Sequence, residues 1–161
     1  MRSGSDRSAA ALAKRSFPPV VDGRAHVLVL GTLPGEESLR RGEYYAHPRN
    51  LFWPIIFALF GEAPASNYAE RLAFLTAHRI AVWDVCELGE RERSVDTTIR
   101  LERPNAIDRL LDDHPLIRAV AFNGTTARLV LKPVRRRASD MSSSSISMLV
   151  RIASSRGVRF S

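Results

Sequence analysis

At 161 residues the chain has the size of one ordinary domain, and a hydrophobic content of 45% excludes wholesale disorder. Its longest apolar run, Leu51 to Phe60, is ten residues long and holds Pro54, against the roughly 20 residues a membrane helix needs. The net charge of +7 excludes less than it suggests, because it is gathered at the two ends. Arg2, Arg7, Lys14 and Arg15 face only Asp6 in the first fifteen residues; seven basic residues face only Asp140 in residues 132–161. The segment between is therefore slightly acidic, and the charge alone is weak evidence for a nucleic-acid partner.

Residues 1–16 read as a flexible basic arm, polar and without the apolar core of a signal peptide, so a cytoplasmic protein is expected. The single cysteine, Cys86, fits a reducing compartment. Phe17-Pro18-Pro19 is an extended approach to the first element. His26 to Leu30 is a near-continuous apolar run ending at Gly31, the pattern of a buried parallel strand. A loop is expected from Thr32 to Arg49, then a helix from Leu51 to Phe60 with Pro54 in its first turn. Asn67 and Glu70 resemble a capping box, opening a helix whose Tyr68, Leu72 and Leu75 share one face.

Ile80 to Val85 reads as a second buried strand, and Cys86 to Arg103 as a polar loop. Pro104-Asn105 starts a short helix burying Ile107, Leu110 and Leu111. Leu116 to Phe122 is a third strand, turning at Asn123-Gly124 into a helix over about 125–131. From residue 133 the composition shifts to Arg135-Arg136-Arg137 and Ser142 to Ser145, a basic, serine-rich tail read as poorly ordered, with one strand candidate in Ile146 to Ile152. The domain proper therefore spans 17–132.

Strands alternating with helices predict a three-layer α/β/α fold with a central, mostly parallel sheet whose last strand is left open. Ligands of such sheets bind at the carboxyl ends of the strands. Here those ends are Gly31 to Gly35, Asp84 and Asn123-Gly124. The candidate chemistry thus gathers on one edge.

Two blocks stand out there: Gly31-Thr32-Leu33-Pro34-Gly35 and Tyr44-Tyr45-Ala46-His47-Pro48-Arg49-Asn50-Leu51-Phe52-Trp53. Together they resemble the uracil-DNA glycosylase superfamily, most closely its hypoxanthine-DNA glycosylase branch and next the mismatch-specific uracil branch. The likeness continues through Leu75 to Val85, Arg93 to Asp96 and Val120 to Gly124, from about Phe17 to Val130. The resemblance implies a monofunctional glycosylase that flips a deaminated base, hypoxanthine first, out of double-stranded DNA and hydrolyses its N-glycosidic bond. It implies no cofactor and no membrane partner, and a monomer is expected.

Most of that superfamily carries a water-positioning Asp or Asn inside the glycine-proline loop, where this chain has Leu33. The resemblance implies that Asn50 takes over the catalytic task; an amide can orient water but is not a general base. Asn50 also precedes a helix, where Asn is a favoured cap, and the two roles are compatible. Tyr45 is implied as the platform on which the base stacks, its alternative being a half-buried loop aromatic. His47 either donates to base or phosphate, or pins its own loop. Gly31, Pro34 and Gly35 either bring backbone close to the ligand or form a plain strand-to-loop turn. Asn123 either reads the base edge or sits in the turn before Gly124. Phe52 and Trp53 are assigned to the core, and Asp84 to anchoring of its loop. Cys86, His26, His78 and His114 have no recognisable metal spacing, and no phosphate-binding fingerprint is present.

Two departures stand beside the likeness. Arg93 occupies a position where glycine is usual, and nothing after Pro133 matches the late Pro-Ser-rich motif that wedges into the minor groove. A shifted reading frame or a truncation would produce such an end. The competing readings are therefore an inactive, DNA-binding relic and, less favoured, a nucleobase-binding module.

Overall fold

The computed structural model describes residues 14–91, 99–124, 127 and 150–152. The loop at 93–96, the helix expected over 125–131 apart from residue 127, residues 1–13 and the tail apart from 150–152 lie outside the described residues.

Three strands form where continuous apolar runs predict them: β2 (Val27–Gly31), β3 (Ile80–Asp84) and β6 (Ala119–Asn123). Two-residue β1 (Lys14–Arg15) precedes them within the expected arm, and three-residue β7 (Val150–Ile152) follows inside the tail's apolar run. The main sheet has the order β3-β2-β6-β7, and every neighbouring pair is parallel. Val20 closes its β3 edge by an antiparallel bridge to Val82.

Because side chains alternate along a strand, each face of this sheet collects its own residues. One face carries Leu28, Leu30, Ala81 and Phe122, with Val120 and Trp83 beside them. Over it packs α4 (Ile107–Asp113) through Ile107, Leu110 and Leu111. The other face carries Val29, Val82 and Ala121. Against it lie α2 (Phe52–Ala58) and α3 (Tyr68–Ala77), contributing Phe52, Trp53, Ile56, Phe57, Phe74 and Leu75. Asn67 caps α3 as its spacing predicts, its Oδ1 accepting from the Glu70 N–H at 2.8 Å.

Two elements correct the sequence reading. The expected loop at 32–49 contains a short helix, α1 (Glu36–Arg41), closed by Gly42 in the left-handed conformation at φ 68°. Its Glu37 carboxylate, at the centre of Arg40 and Arg41, is held at a pKa of about 2 by hydrogen bonds to both guanidinium groups. The expected loop at 86–103 holds β4 (Cys86–Arg91) and β5 (Ile99–Pro104), which pair antiparallel and, with β1, form a second sheet in the order β1-β4-β5. Only Val85 separates β3 from β4, so the chain passes from one sheet straight into the other.

Candidate active site

The register of the main sheet places the site. Gly31 pairs with Asp84, and Leu30 with Phe122, so Gly31, Asp84 and Asn123 end three adjacent strands at one level. Counting by twos from Val29, Val82 and Ala121 puts all three on the face that carries α2 and α3. Leu33, by contrast, is 4% exposed and belongs to the opposite cluster with Leu28, Leu30 and Val85. The loop position that is polar in most of the resembled superfamily is here a core side chain pointing the other way.

The segment 44–53 folds over that edge and is held from several directions. Tyr44 is buried, and its hydroxyl lies 3.4 and 3.3 Å from the carbonyls of Phe17 and Pro18, to which it donates. Its N–H donates to Tyr68 Oη at 3.0 Å, and its carbonyl accepts from Trp53 Nε1 at 3.0 Å. Two residues later Ser38 Oγ accepts from the Ala46 N–H at 3.2 Å. Between these fixed points Tyr45 takes φ 55°, a left-handed backbone unusual for an aromatic residue. Such strain persists only where its surroundings over-determine it.

Tyr45 stacks on Phe52, with ring centroids 3.9 Å apart and planes inclined by 28°. Its hydroxyl reaches Gly31: an ideal Cβ built there would fall 2.9 Å from Tyr45 Oη and 2.5 Å from Asp84 Oδ1. No other residue than glycine leaves room at this point. Asn50 lies at the same corner. Its Oδ1 accepts from the N–H of Phe52, the residue under the Tyr45 ring, at 2.8 Å, while its own N–H donates to the His47 carbonyl at 2.8 Å. The amide stands one residue before the N-cap of α2, which is Leu51, so it is not the cap of that helix; its bond to the Phe52 N–H fixes its orientation all the same. The Oδ1 keeps a second lone pair and the Nδ2 group keeps its donors for another partner.

Tyr45 and Gly31 are thus brought together, with Asn123 at the level of Gly31 on the same face, while Asn50 is bonded to the backbone of Phe52, on whose ring Tyr45 stacks. Pro34 is buried in the turn, and Gly35 is the extended residue before α1. His47 is exposed, and its Nδ1 accepts from the Arg49 N–H at 3.1 Å. It pins its own loop, and because Nδ1 must supply a lone pair, the proton of the neutral ring sits on Nε2. Two features of this corner differ from what the sequence suggests. Leu51, beside Asn50, is 47% exposed, although it opens the longest apolar run. Asp84 is buried at 3% exposure, and its loop is anchored by its backbone carbonyl, which accepts from Asn105 Nδ2 at 2.8 Å.

The carboxyl ends of parallel strands, where an amide, a glycine notch and an aromatic ring here lie on one face, are where open α/β sheets bind their ligands. Comparison with known proteins gives that frame its family: residues 18–159 match the model of the uracil DNA glycosylase superfamily, and the chain belongs to that superfamily. The matched residues run past position 133 and take in β7.

Within the superfamily the chain stands with the hypoxanthine branch. It is 43% identical over 112 residues to a Hypoxanthine DNA glycosylase of Methanosarcina barkeri, covering 69% of this chain and 71% of that one. It is 39% identical over 115 residues to a Hypoxanthine DNA glycosylase of Methanosarcina acetivorans, covering 71% and 73%. The solution NMR structure of a Methanosarcina acetivorans protein described as a candidate uracil DNA glycosylase superposes with a TM-score of 0.66 at 38% identity, covering 72% of this chain and 73% of that one. No helix among the described residues is long and apolar enough to cross a membrane.

Proposed function

We propose that the chain is a monofunctional DNA glycosylase that removes hypoxanthine from deoxyinosine in double-stranded DNA, acting as a cytoplasmic monomer without a cofactor on a three-layer α/β/α frame. The observation that supports this reading is the approach of Tyr45 to the Gly31 notch at one strand edge, with Asn50 bonded to the residue on which Tyr45 stacks, while Leu33 is buried on the other side. The names of the two Methanosarcina relatives point the same way.

In this reading the flipped base stacks on the Tyr45 ring face opposite Phe52. Asn123 donates from its amide to the base edge, and His47 donates from Nε2 to base or phosphate. The glycosidic bond breaks with its electron pair leaving on the base, and C1′ becomes oxocarbenium-like. Water adds at C1′ and loses its proton to bulk solvent or to the departing base. Asn50 holds that water through the free lone pair of Oδ1 and through Nδ2. Since an amide cannot take the proton, the acceleration comes from positioning and from donors that stabilise the anionic base.

Incubation with duplexes containing deoxyinosine, followed by alkali, is expected to cut the strand at the modified site. Asn50→Ala should slow excision on the order of a hundredfold at a temperature where both proteins are folded, since loss of its hydrogen bond to the Phe52 N–H costs only about 1 kcal/mol. Undiminished excision by Asn50→Ala sinks the assignment of Asn50. Absence of scission with either deoxyinosine or deoxyuridine sinks the enzyme reading and leaves the DNA-binding relic. Preference for uracil in mismatches is the second reading, favoured by the description of the solved structure, and the same panel separates the two.

A further inference from the structure

We propose that the edge of the main sheet opposite the candidate active site binds a phosphate group, held by Arg79 and Arg118 on either side of His26. The inference goes beyond the proposed function and stands independently of it. Val27 pairs with both Ile80 and Ala119, so the residues that precede these three share one level at the amino ends of β3, β2 and β6. The backbone fixes that row: the His26 N–H donates to the Arg79 carbonyl at 2.8 Å, and the Arg118 N–H donates to the His26 carbonyl at 2.9 Å. With strands about 4.8 Å apart, the two arginines start about 10 Å from each other. At about 3.3 Å per residue, the row lies roughly 17 Å from the level of Gly31.

Three features distinguish this row from a solvated rim. Arg79 and Arg118 are both exposed, and neither makes an ion pair among the described residues. Acids close to them in the chain are engaged elsewhere, Asp22 with Arg24 at 3.0 Å and Glu62 with His78 at 3.8 Å. Both cations also bear on one group: burial first, then the charges of Arg118 and Arg79, push the half-buried His26 imidazole down. Like charges gathered around one ring repel, and a bound anion relieves that repulsion. Finally, Arg79 stands directly after the C-cap of α3 with φ 59°, in the left-handed region where glycine is the usual residue. A long cationic side chain kept where the backbone disfavours it argues for a role beyond closing the helix. The ligand chemistry follows from the donors. A guanidinium fork takes two oxygens at a time, so one fork fills a carboxylate, whereas a tetrahedral phosphate has oxygens for two forks and an imidazole N–H.

Nuclear magnetic resonance titration of the full chain tests this, with inorganic phosphate and a short undamaged single-stranded oligonucleotide as probes. At low ionic strength phosphate is expected to shift the backbone amides of His26, Arg79 and Arg118 saturably, and sodium chloride at matched ionic strength is not. Equal shifts from chloride, or no saturation with either probe, overturn the inference. Arg79→Gly suits the left-handed backbone, so it should withstand urea at least as well as the natural protein while binding phosphate about tenfold more weakly. Arg118→Ala should weaken binding by a similar factor; natural affinity in both variants overturns the site. The His26 imidazole gives a second reading. Its pKa is expected to rise when phosphate saturates the site, because the anion offsets the two cations that hold it down, and to rise in Arg79→Gly without phosphate. A His26 titration unmoved by bound phosphate overturns its place between the arginines. Tighter binding of the oligonucleotide than of phosphate at the same residues identifies a polynucleotide backbone as the source; tighter binding of phosphate identifies the free anion.

Discussion

The two faces of the main sheet are built from different materials. The face under α4 is largely aliphatic, with Leu28, Leu30, Leu33, Ile107, Leu110, Leu111 and Ile117. The face under α2 and α3 is crowded with rings: Tyr44, Tyr45, Phe52, Trp53, Phe57, Tyr68 and Phe74. Aliphatic packing contributes burial, which is not directional and serves the fold alike wherever it lies. Rings bring direction as well, in the stack of Tyr45 on Phe52 at 3.9 Å and of Phe57 on Phe74 at 3.8 Å. The polar strand ends Asp84 and Asn123 fall on the ringed face, as does the Tyr45 ring. One face keeps the molecule folded, and the other also shapes a surface for something flat.

The sharpest way to break that comparison is to damage each face in turn. Leu28 is fully buried on the aliphatic side, so Leu28→Ala should cost about 2–5 kcal/mol of stability, read by urea denaturation, with excision per folded molecule unchanged. Tyr45→Leu should do the reverse. It is expected to weaken binding of a deoxyinosine duplex by about fivefold to 150-fold, the equivalent of roughly 1–3 kcal/mol of lost stacking, with a smaller loss of stability than Leu28→Ala. Equal losses of excision from the two substitutions would show that the faces do not divide the work.

How much of this division is legible in the sequence follows from where the information lies. The aliphatic face and the strands β2, β3 and β6 are legible because a parallel strand buried on both sides is a continuous apolar run, as in Val27 to Leu30. Asn67 is legible because a cap depends only on its neighbours three residues on. The strands β4 and β5 were hidden by their charges. Yet Cys86-Glu87-Leu88 and Ile99-Arg100-Leu101-Glu102 alternate apolar and charged residues, the period of a half-covered strand, and that signal was available. Helix α1 announced itself similarly, with acids at Glu36 and Glu37, bases at Arg40 and Arg41, and Gly42 after them.

The site divides the same way. Asn50, Tyr45 and Gly31 could be named because they sit in two dense motifs, but the level that Gly31 shares with Asp84 and Asn123 depends on the register of β2 with β3 and β6, and the approach of Tyr45 to Gly31 on the folded loop. The burial of the Asp84 side chain could not be read from the chain alone. A carboxylate after Trp83 looks like any loop residue until Gly31 is placed beside it. The left-handed backbone of Tyr45 is likewise invisible, because nothing about tyrosine favours it; Tyr44, Ser38 and Trp53 impose it from outside.

The smallest expected effect sharpens the comparison at its rim. Arg49 is exposed beside Asn50, and its guanidinium makes no ion pair among the described residues. An exposed cation at the edge of the face proposed to bind a base is suited to a phosphate, and a phosphate contact carries no sequence information. Arg49→Ala should therefore weaken binding of deoxyinosine and undamaged duplexes by the same factor. It should also reduce the slope of log affinity against log salt by about one. Titrating both duplexes between low and physiological salt measures this. A loss confined to the deoxyinosine duplex would place Arg49 on the base instead, and would extend the ringed face's recognition outward past Asn50.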